Sequence, residues 1–147
     1  MRVHLGSDHA GVEMRQAFAA ILREWNHELA SEVGPESPQD AVDYPDIAVL
    51  VCDRVTGDPG AVGVLVCGTG QGMAMTANKI ANIRAAVVLD AFSARMVREH
   101  NDANVLCIGS RVAGSELAKL LLHTFLAAEF AGGRHGRRVA KIDAAGG

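Results

Sequence analysis

The sequence predicts a doubly wound α/β domain: a three-layer, Rossmann-like fold around a mostly parallel five-stranded sheet. Three observations predict it. Short β-rich runs alternate about five times with segments of helical period. Residues 61–67 are apolar without interruption and flanked by glycines, as in a strand buried on both faces. No linker or low-complexity stretch divides the chain before its Gly-rich last residues. Strands alternating with helices build a parallel sheet covered on both sides.

Residues 2–6 form the first strand. Phe18, Ile21, Leu22 and Trp25 then recur at i, i+3, i+4 and i+7, one buried stripe of a helix. Residues 28–33 make a weak second strand, followed by a turn-rich stretch with Pro35 and Pro38 and a helix over 44–55. Residues 61–67 are the third strand, and a helix over 71–79 follows it. The fourth and fifth strands, 84–89 and 104–108, are expected to repeat the doubly buried pattern. Between them a helix spans 91–101, capped by Asp90. Ser115 is expected to cap a later helix in which Leu117, Leu120, Leu121 and Phe125 share a face.

The 147 residues make one domain, 1–147, with a C-terminal basic segment over 132–147. A domain of this size buries about two thirds of its unfolded surface and needs no staple. Aromatic residues are only 4% of the chain, so the core is aliphatic and stacking platforms for nucleic acid are not expected. A net charge of −3 and a pI near 6.0 argue against nucleic-acid or membrane partners. Cys52, Cys67 and Cys107 show no CxxC or zinc-finger spacing, which fits a reducing cytoplasm and no metal site. The N-terminus lacks a signal-peptide pattern, and every apolar run is shorter than the ~18 residues of a membrane span. The expectation is a cytoplasmic protein.

In a doubly wound sheet, ligands bind beyond the carboxyl ends of the strands. The strongest signal there is Cys67-Gly68-Thr69-Gly70-Gln71-Gly72. Its three alternate glycines let the backbone turn sharply and aim several N–H groups at an anion or a developing oxyanion. The alternative is a tight strand-to-helix turn with no ligand. The loop is neither a GxGxxG fingerprint nor a P-loop, because Met73 stands where glycine is required and no Gly-Lys-Ser/Thr follows. A thiol at this position is favoured as thiolate, which suits Cys67 as base or nucleophile; a buried structural cysteine is its alternative, and the reading for Cys52 and Cys107.

Asp8-His9 follows the first strand, where a carboxylate beside an imidazole can handle protons or orient a ligand, or simply cap a helix. His100-Asn101 closes a helix, where a cationic His is favourable without any ligand. In the last residues Arg134, Arg137, Arg138 and Lys141 stand against Asp143 alone. If the segment is helical, Arg134 and Arg138 share a face, and their planar forks suit phosphate; a solvated basic tail is the alternative.

Taken together, the sequence resembles the ribose-5-phosphate isomerase B family, which also includes galactose-6-phosphate isomerase subunits. The motifs are Gly6-Ser7-Asp8-His9-Ala10-Gly11, Asp43-Tyr44-Pro45, the glycine loop, Ala77-Asn78-Lys79, Ile83-Arg84-Ala85, His100-Asn101-Asp102, Gly109-Ser110-Arg111 and Gly133-Arg134-His135. The resemblance implies an enediolate aldose–ketose isomerase of the pentose phosphate pathway, without metal or organic cofactor. It also implies a homodimer, or a dimer of dimers, with sites at the interface. It looks like the cysteine-base subtype, since Met73 stands where the other subtype has glutamate. On this resemblance Cys67 is the base, Thr69 orients it, and the backbone of Gly68, Gly70, Gln71 and Gly72 holds the enediolate. His100, donated by a second protomer, opens the sugar ring; Asp8 and Asn101 hold hydroxyls; His9, Arg111, Arg134 and Arg138 hold phosphate. Gln71 and the segment 32–39 depart from many relatives, which leaves a tetrose phosphate, a hexose phosphate of allose or galactose type, or a free sugar as alternative substrates; a non-catalytic sugar-phosphate-binding subunit is the alternative to an enzyme.

Overall fold

The computed structural model describes residues 1–145. Five strands, β1 (Arg2–Ser7), β2 (Glu28–Val33), β3 (Val62–Cys67), β4 (Ala85–Val87) and β5 (Val105–Gly109), form one sheet in the order β2-β1-β3-β5-β4. Every pairing is parallel. Six α-helices connect and follow them: α1 (Val12–Glu24), α2 (Tyr44–Thr56), α3 (Gln71–Ala77), α4 (Ala91–Glu99), α5 (Ser115–Ala127) and α6 (Arg134–Ala145).

Alternation along the central strands sorts the core into two layers. Val62, Val64 and Val66 of β3 and Leu106 and Ile108 of β5 meet Phe18, Leu22, Ala94, Leu121 and Phe125 of α1, α4 and α5. Leu65 and Cys67, with Val105 and Cys107, meet Ile47, Val51, Cys52, Met73 and Ala77 of α2 and α3 on the other side. Every residue of β3 and β5 is buried, as their unbroken apolar runs require.

Two expectations change. Residues 84–89 do not form a doubly buried strand: β4 is a three-residue edge strand, half-buried throughout. Asn78 terminates α3 and satisfies that edge instead, donating from Nδ2 to the Ala85 carbonyl (2.9 Å) and accepting the Ala85 N–H at Oδ1 (2.8 Å). In α5, Gly114 and not Ser115 is the N-cap. The helix is also rotated from the expected face: Ala118, Leu121, Leu122 and Phe125 are buried, while Leu117 and Leu120 are exposed. That set also has the spacing i, i+3, i+4, i+7, and it is the one the sheet accepts because it places the small Ala118 against the strands. Asp90 caps α4 as expected, its Oδ1 accepting the Ser93 N–H at 2.7 Å.

The strand order reverses between β1 and β3. The chain leaves β1 toward β2, and leaves β3 toward β5 and β4. A crevice forms where such connections part, beyond the carboxyl ends of the two strands. Asp8-His9 and the glycine loop emerge there.

Candidate functional site

The glycine loop begins at Cys67, the last residue of β3, and ends in the first turn of α3. Gly70 has φ of +78°, a left-handed conformation that glycine adopts without strain. It brings the Gly70 N–H to 3.2 Å from Cys67 Sγ. Thr69 Oγ1 accepts the Gln71 N–H at 3.3 Å. Among the described residues the Cys67 sulfur is thus met by the Gly70 backbone, and the Thr69 hydroxyl by the Gln71 backbone.

Neighbouring elements hold the loop closely. Ser110 donates its N–H to the Cys67 carbonyl (2.8 Å) and Arg111 its N–H to the Gly68 carbonyl (3.0 Å). The Ser110 hydroxyl reaches the Ala10 carbonyl at 2.8 Å, tying the ends of β1, β3 and β5 together. A side chain at Gly109 would put its Cβ 2.7 Å from Thr69 Cα, and one at Gly72 would run into the Tyr44 ring. The Arg111 side chain lies along Gly68. Tyr44 and Ser110 thus belong to the site. Their motifs stand out in the sequence, but nothing local to them signals these contacts.

Asp8 is buried, and its Oδ1 accepts from Ala10 N (2.9 Å) and Gly11 N (3.2 Å), capping the short turn that opens α1. Both alternatives for Asp8 therefore stay compatible, since its second oxygen takes no protein donor among the described residues. His9 Nδ1 accepts the Val42 N–H at 3.4 Å, which leaves Nε2 as the donor in the neutral ring. Arg15 supports this edge from below: it bonds Glu32 Oε1 (3.0 Å), Ser7 Oγ (2.9 Å) and the Pro35 carbonyl (2.7 Å), fixing the start of the segment that leads to Val42.

The three thiols differ. Burial pushes the Cys52 thiol up to about 12, with help from the Asp53 charge. Burial likewise raises Cys107 well above the ordinary range. These two are packing residues. Only Cys67 sits at a strand end beside backbone donors.

The other candidate residues are elsewhere. His100 caps the C-terminus of α4, which runs back from the carboxyl edge of the sheet to its amino edge. The chain then turns, and Asn104 accepts the Gly63 N–H at 2.8 Å, at the start of β3. Gly63 pairs with Val105 and Cys67 with Gly109, so the two levels are separated by four residues of strand, roughly 13 Å at a usual rise. Helix α6 docks at this amino edge. Its His135 ring stacks on His100, with centroids 4.2 Å apart and planes 8° from parallel. Residues 134–145 are helical, so Arg134 and Arg138 stand one turn apart, both exposed. A cavity of about 490 Å³ opens against the far end of α6, its lining including Asn78, Arg84, Asn101 and Asp143. The candidate residues therefore fall into two groups at opposite edges of the sheet. Asp8, His9, Cys67, the loop over 68–72 and Arg111 lie at the carboxyl edge; His100, Asn101, Arg134 and Arg138 lie at the amino edge.

No helix among the described residues is long and apolar enough to cross a membrane. Residues 3–142 match the family model described as Ribose/Galactose Isomerase. The chain is 41% identical over 143 residues to the ribose-5-phosphate isomerase B of Escherichia coli, covering 97% of this chain and 95% of that one. It is 33% identical over 142 residues to the D-erythrulose-4-phosphate isomerase of Pectobacterium atrosepticum, covering 97% and 93%. The solved structure of ribose-5-phosphate isomerase B from Clostridium thermocellum superimposes with a TM-score of 0.93 at 42% identity, covering 99% of this chain and 97% of that one. A model match over nearly the whole length, with fold and motifs in the same order, places this chain in the ribose/galactose isomerase family.

Proposed function

We propose that the protein is an aldose–ketose isomerase that interconverts ribose 5-phosphate and ribulose 5-phosphate through an enediolate, at sites shared between two copies of the chain. The carrying observation is Cys67 at the head of the glycine loop, with the Gly70 N–H 3.2 Å from its sulfur. Moving a carbonyl from C1 to C2 requires a base that removes the C2 proton and returns it to C1. The Cys67 thiolate takes the C2 proton, and the electrons flow onto the carbonyl oxygen at C1. The proton of the C2 hydroxyl passes to that oxygen. The Cys67 thiol then protonates C1, leaving the carbonyl at C2. Backbone N–H groups of the loop stabilise the enediolate, a contribution of about 3 kcal/mol for a well-placed donor. Asp8 and Asn101 hold hydroxyls.

His100 and the paired arginines reach this chemistry from a second copy. Their position at the opposite edge of the sheet leaves a single protomer without them, and Met75 and Phe92, 67% and 69% exposed, leave apolar surface for such a contact. His100 accepts the proton of the anomeric hydroxyl as the C1–O4 bond breaks and returns it to the leaving O4. His9 and Arg111 meet the phosphate from one side, and Arg134 and Arg138 from the other.

The test is solvent deuterium exchange and turnover with four-, five- and six-carbon aldose phosphates. Deuterium should enter at C2 of ribose 5-phosphate, and Cys67→Ala should abolish exchange and turnover while leaving the fold and oligomer intact. Full activity in that variant would sink the cysteine-base assignment. Phosphate-ester binding without exchange would point to a binding subunit, and faster turnover of a tetrose or hexose phosphate would reassign the substrate.

A further inference from the structure

We infer that Arg84 is a positioning residue for ring opening: it clamps the turn after His100 to helix α6, so that the ring-opening imidazole and the phosphate-binding arginines reach the second copy as one rigid body. The inference rests on the proposed role of His100 and assigns what holds that residue in place.

Arg84 immediately precedes β4, and its side chain is only 15% exposed. Its Nε donates to the Asp102 carbonyl and its Nη2 to Asp102 Oδ2, both at 2.9 Å. Nη1 takes both oxygens of Asp143, at 3.0 and 3.2 Å. The Arg84 main chain is joined to the start of β5 as well, its N–H donating to Asn104 Oδ1 at 2.8 Å. Every nitrogen of the guanidinium is thus engaged by the protein. Arg84 is accordingly a brace and not a phosphate ligand, since two carboxylates already answer its charge.

What it braces is strained. Asp102 has φ of +47°, a conformation uncommon for a residue with a side chain. Arg98 adds a second hold, donating from Nη1 to the Ala103 carbonyl at 2.6 Å. The turn bearing His100 and Asn101 is therefore fixed from below by two arginines. Helix α6 is attached at two points, His135 on His100 near its start and Asp143 on Arg84 near its end. Eight residues separate them, about 12 Å along a helix. One attachment would leave a hinge; two fix the direction in which Arg134 and Arg138 point. A lysine cannot replace the clamp, because one ammonium cannot present a planar fork to a carbonyl and two carboxylates at once.

The test separates ring opening from proton transfer. Ribose 5-phosphate closes through its C4 hydroxyl and must be opened. Ribulose 5-phosphate has its C5 oxygen esterified and stays open-chain, so its C1 proton can exchange without any ring step. At saturating substrate, Arg84→Ala should lower ribose 5-phosphate isomerisation by about 100-fold, the cost of a misplaced group, while C1 exchange in ribulose 5-phosphate persists. Persistent exchange itself reports a folded protein. Arg84→Lys should show the same split, smaller, and carries the test if Arg84→Ala does not fold. His100→Ala is the control. If it splits the two rates and the Arg84 variants lower both equally or neither, the clamp is overturned. If His100→Ala itself shows no split, the ring-opening role falls, and this inference with it.

Discussion

The division of the site between opposite edges of the sheet makes a quantitative demand on mixtures of dead variants. On the proposed division, Cys67→Ala removes the base from the carboxyl-edge half-site, and His100→Ala removes the ring-opening group from the amino-edge half-site. The roughly 13 Å of strand between these levels means neither lesion disturbs the other. Each homo-oligomer is inactive on ribose 5-phosphate, because every site lacks one group. Unfolding the two variants together in equal amounts and refolding them makes half the pairs mixed. Each mixed pair has one site with both lesions and one with neither. Two-fold pairing therefore restores about one quarter of wild-type activity, and the figure is the same for a dimer of dimers, because each interface is sampled independently. The assay is ribulose 5-phosphate formation per active chain, with wild type refolded alone as the reference. A mixture that stays inactive, although mixed oligomers are demonstrated by mass, refutes the shared site: if both residues served one protomer, no pairing could repair it.

Other expectations follow from single features of the site. Arg134→Ala and Arg138→Ala should raise KM for phosphorylated sugars by about 10-fold or more, the range for a lost charge-assisted bond, with little effect on a non-phosphorylated sugar; equal effects on both would remove the phosphate role. Gly109→Ala sets a methyl 2.7 Å from Thr69 backbone, which cannot yield as a flexible side chain would. It should cost about 1–3 kcal/mol, read as a lower Tm, together with lost turnover as the glycine loop shifts. Alkylation of the folded protein at pH 8 should leave Cys52 and Cys107 unmodified, since burial holds both thiols protonated, and peptide mapping would show it. His135 is held below its ordinary value by burial first and then by His100, Arg134 and Arg138. The docked helix thus favours the neutral ring, and its stabilisation is full above about pH 6.5 and lost as pH falls through the depressed value. Protection of the α6 amides, corrected for the intrinsic pH dependence of exchange, should be lower at pH 5.5 than at 7.5, and His135→Phe should flatten that dependence.

How much of this was legible in the sequence depends on whether a local pattern has one structural solution or two. The run 61–67 has one: seven consecutive apolar or glycine residues between glycine-bearing turns fit only the middle of a covered parallel sheet, where β3 lies. Helix α5 has two, because Leu117, Leu120, Leu121, Leu122, Phe125 and Leu126 are apolar nearly all round. The wrong face is then chosen as easily as the right one. Residues 84–89 have the composition of a buried strand but stop pairing after Val87. Their position at the edge is a property of strand order, which composition does not carry. In the site, the glycine loop was legible because alternate glycines after a strand have a local backbone meaning. The clamp was not: Arg84 meets its partners 18 and 59 residues away, and no spacing rule links them.

The same topology explains why the site is divided at all. In a parallel sheet every strand delivers its carboxyl end to one edge, and every connecting helix runs back and ends at the other. Backbone donors after a strand, such as the loop at Cys67, therefore gather at the first edge. Residues that close a helix, such as His100, gather at the second. In the described residues the sheet itself stands between the two edges, which lie roughly 13 Å apart along β3 and β5. In the proposed dimer a second copy placed by a two-fold axis brings the two edges together. It presents its amino edge to the first copy's carboxyl edge and receives the same in return. Each contact then makes two complete sites and closes on itself, whereas a head-to-tail contact would complete one site and leave a free edge at either end. The net charge of −3 is compatible with an anionic substrate for the same reason. The basic residues of α6 are concentrated at the amino edge, where an equal copy can bring them to a phosphate that one protomer alone would hold only through His9 and Arg111.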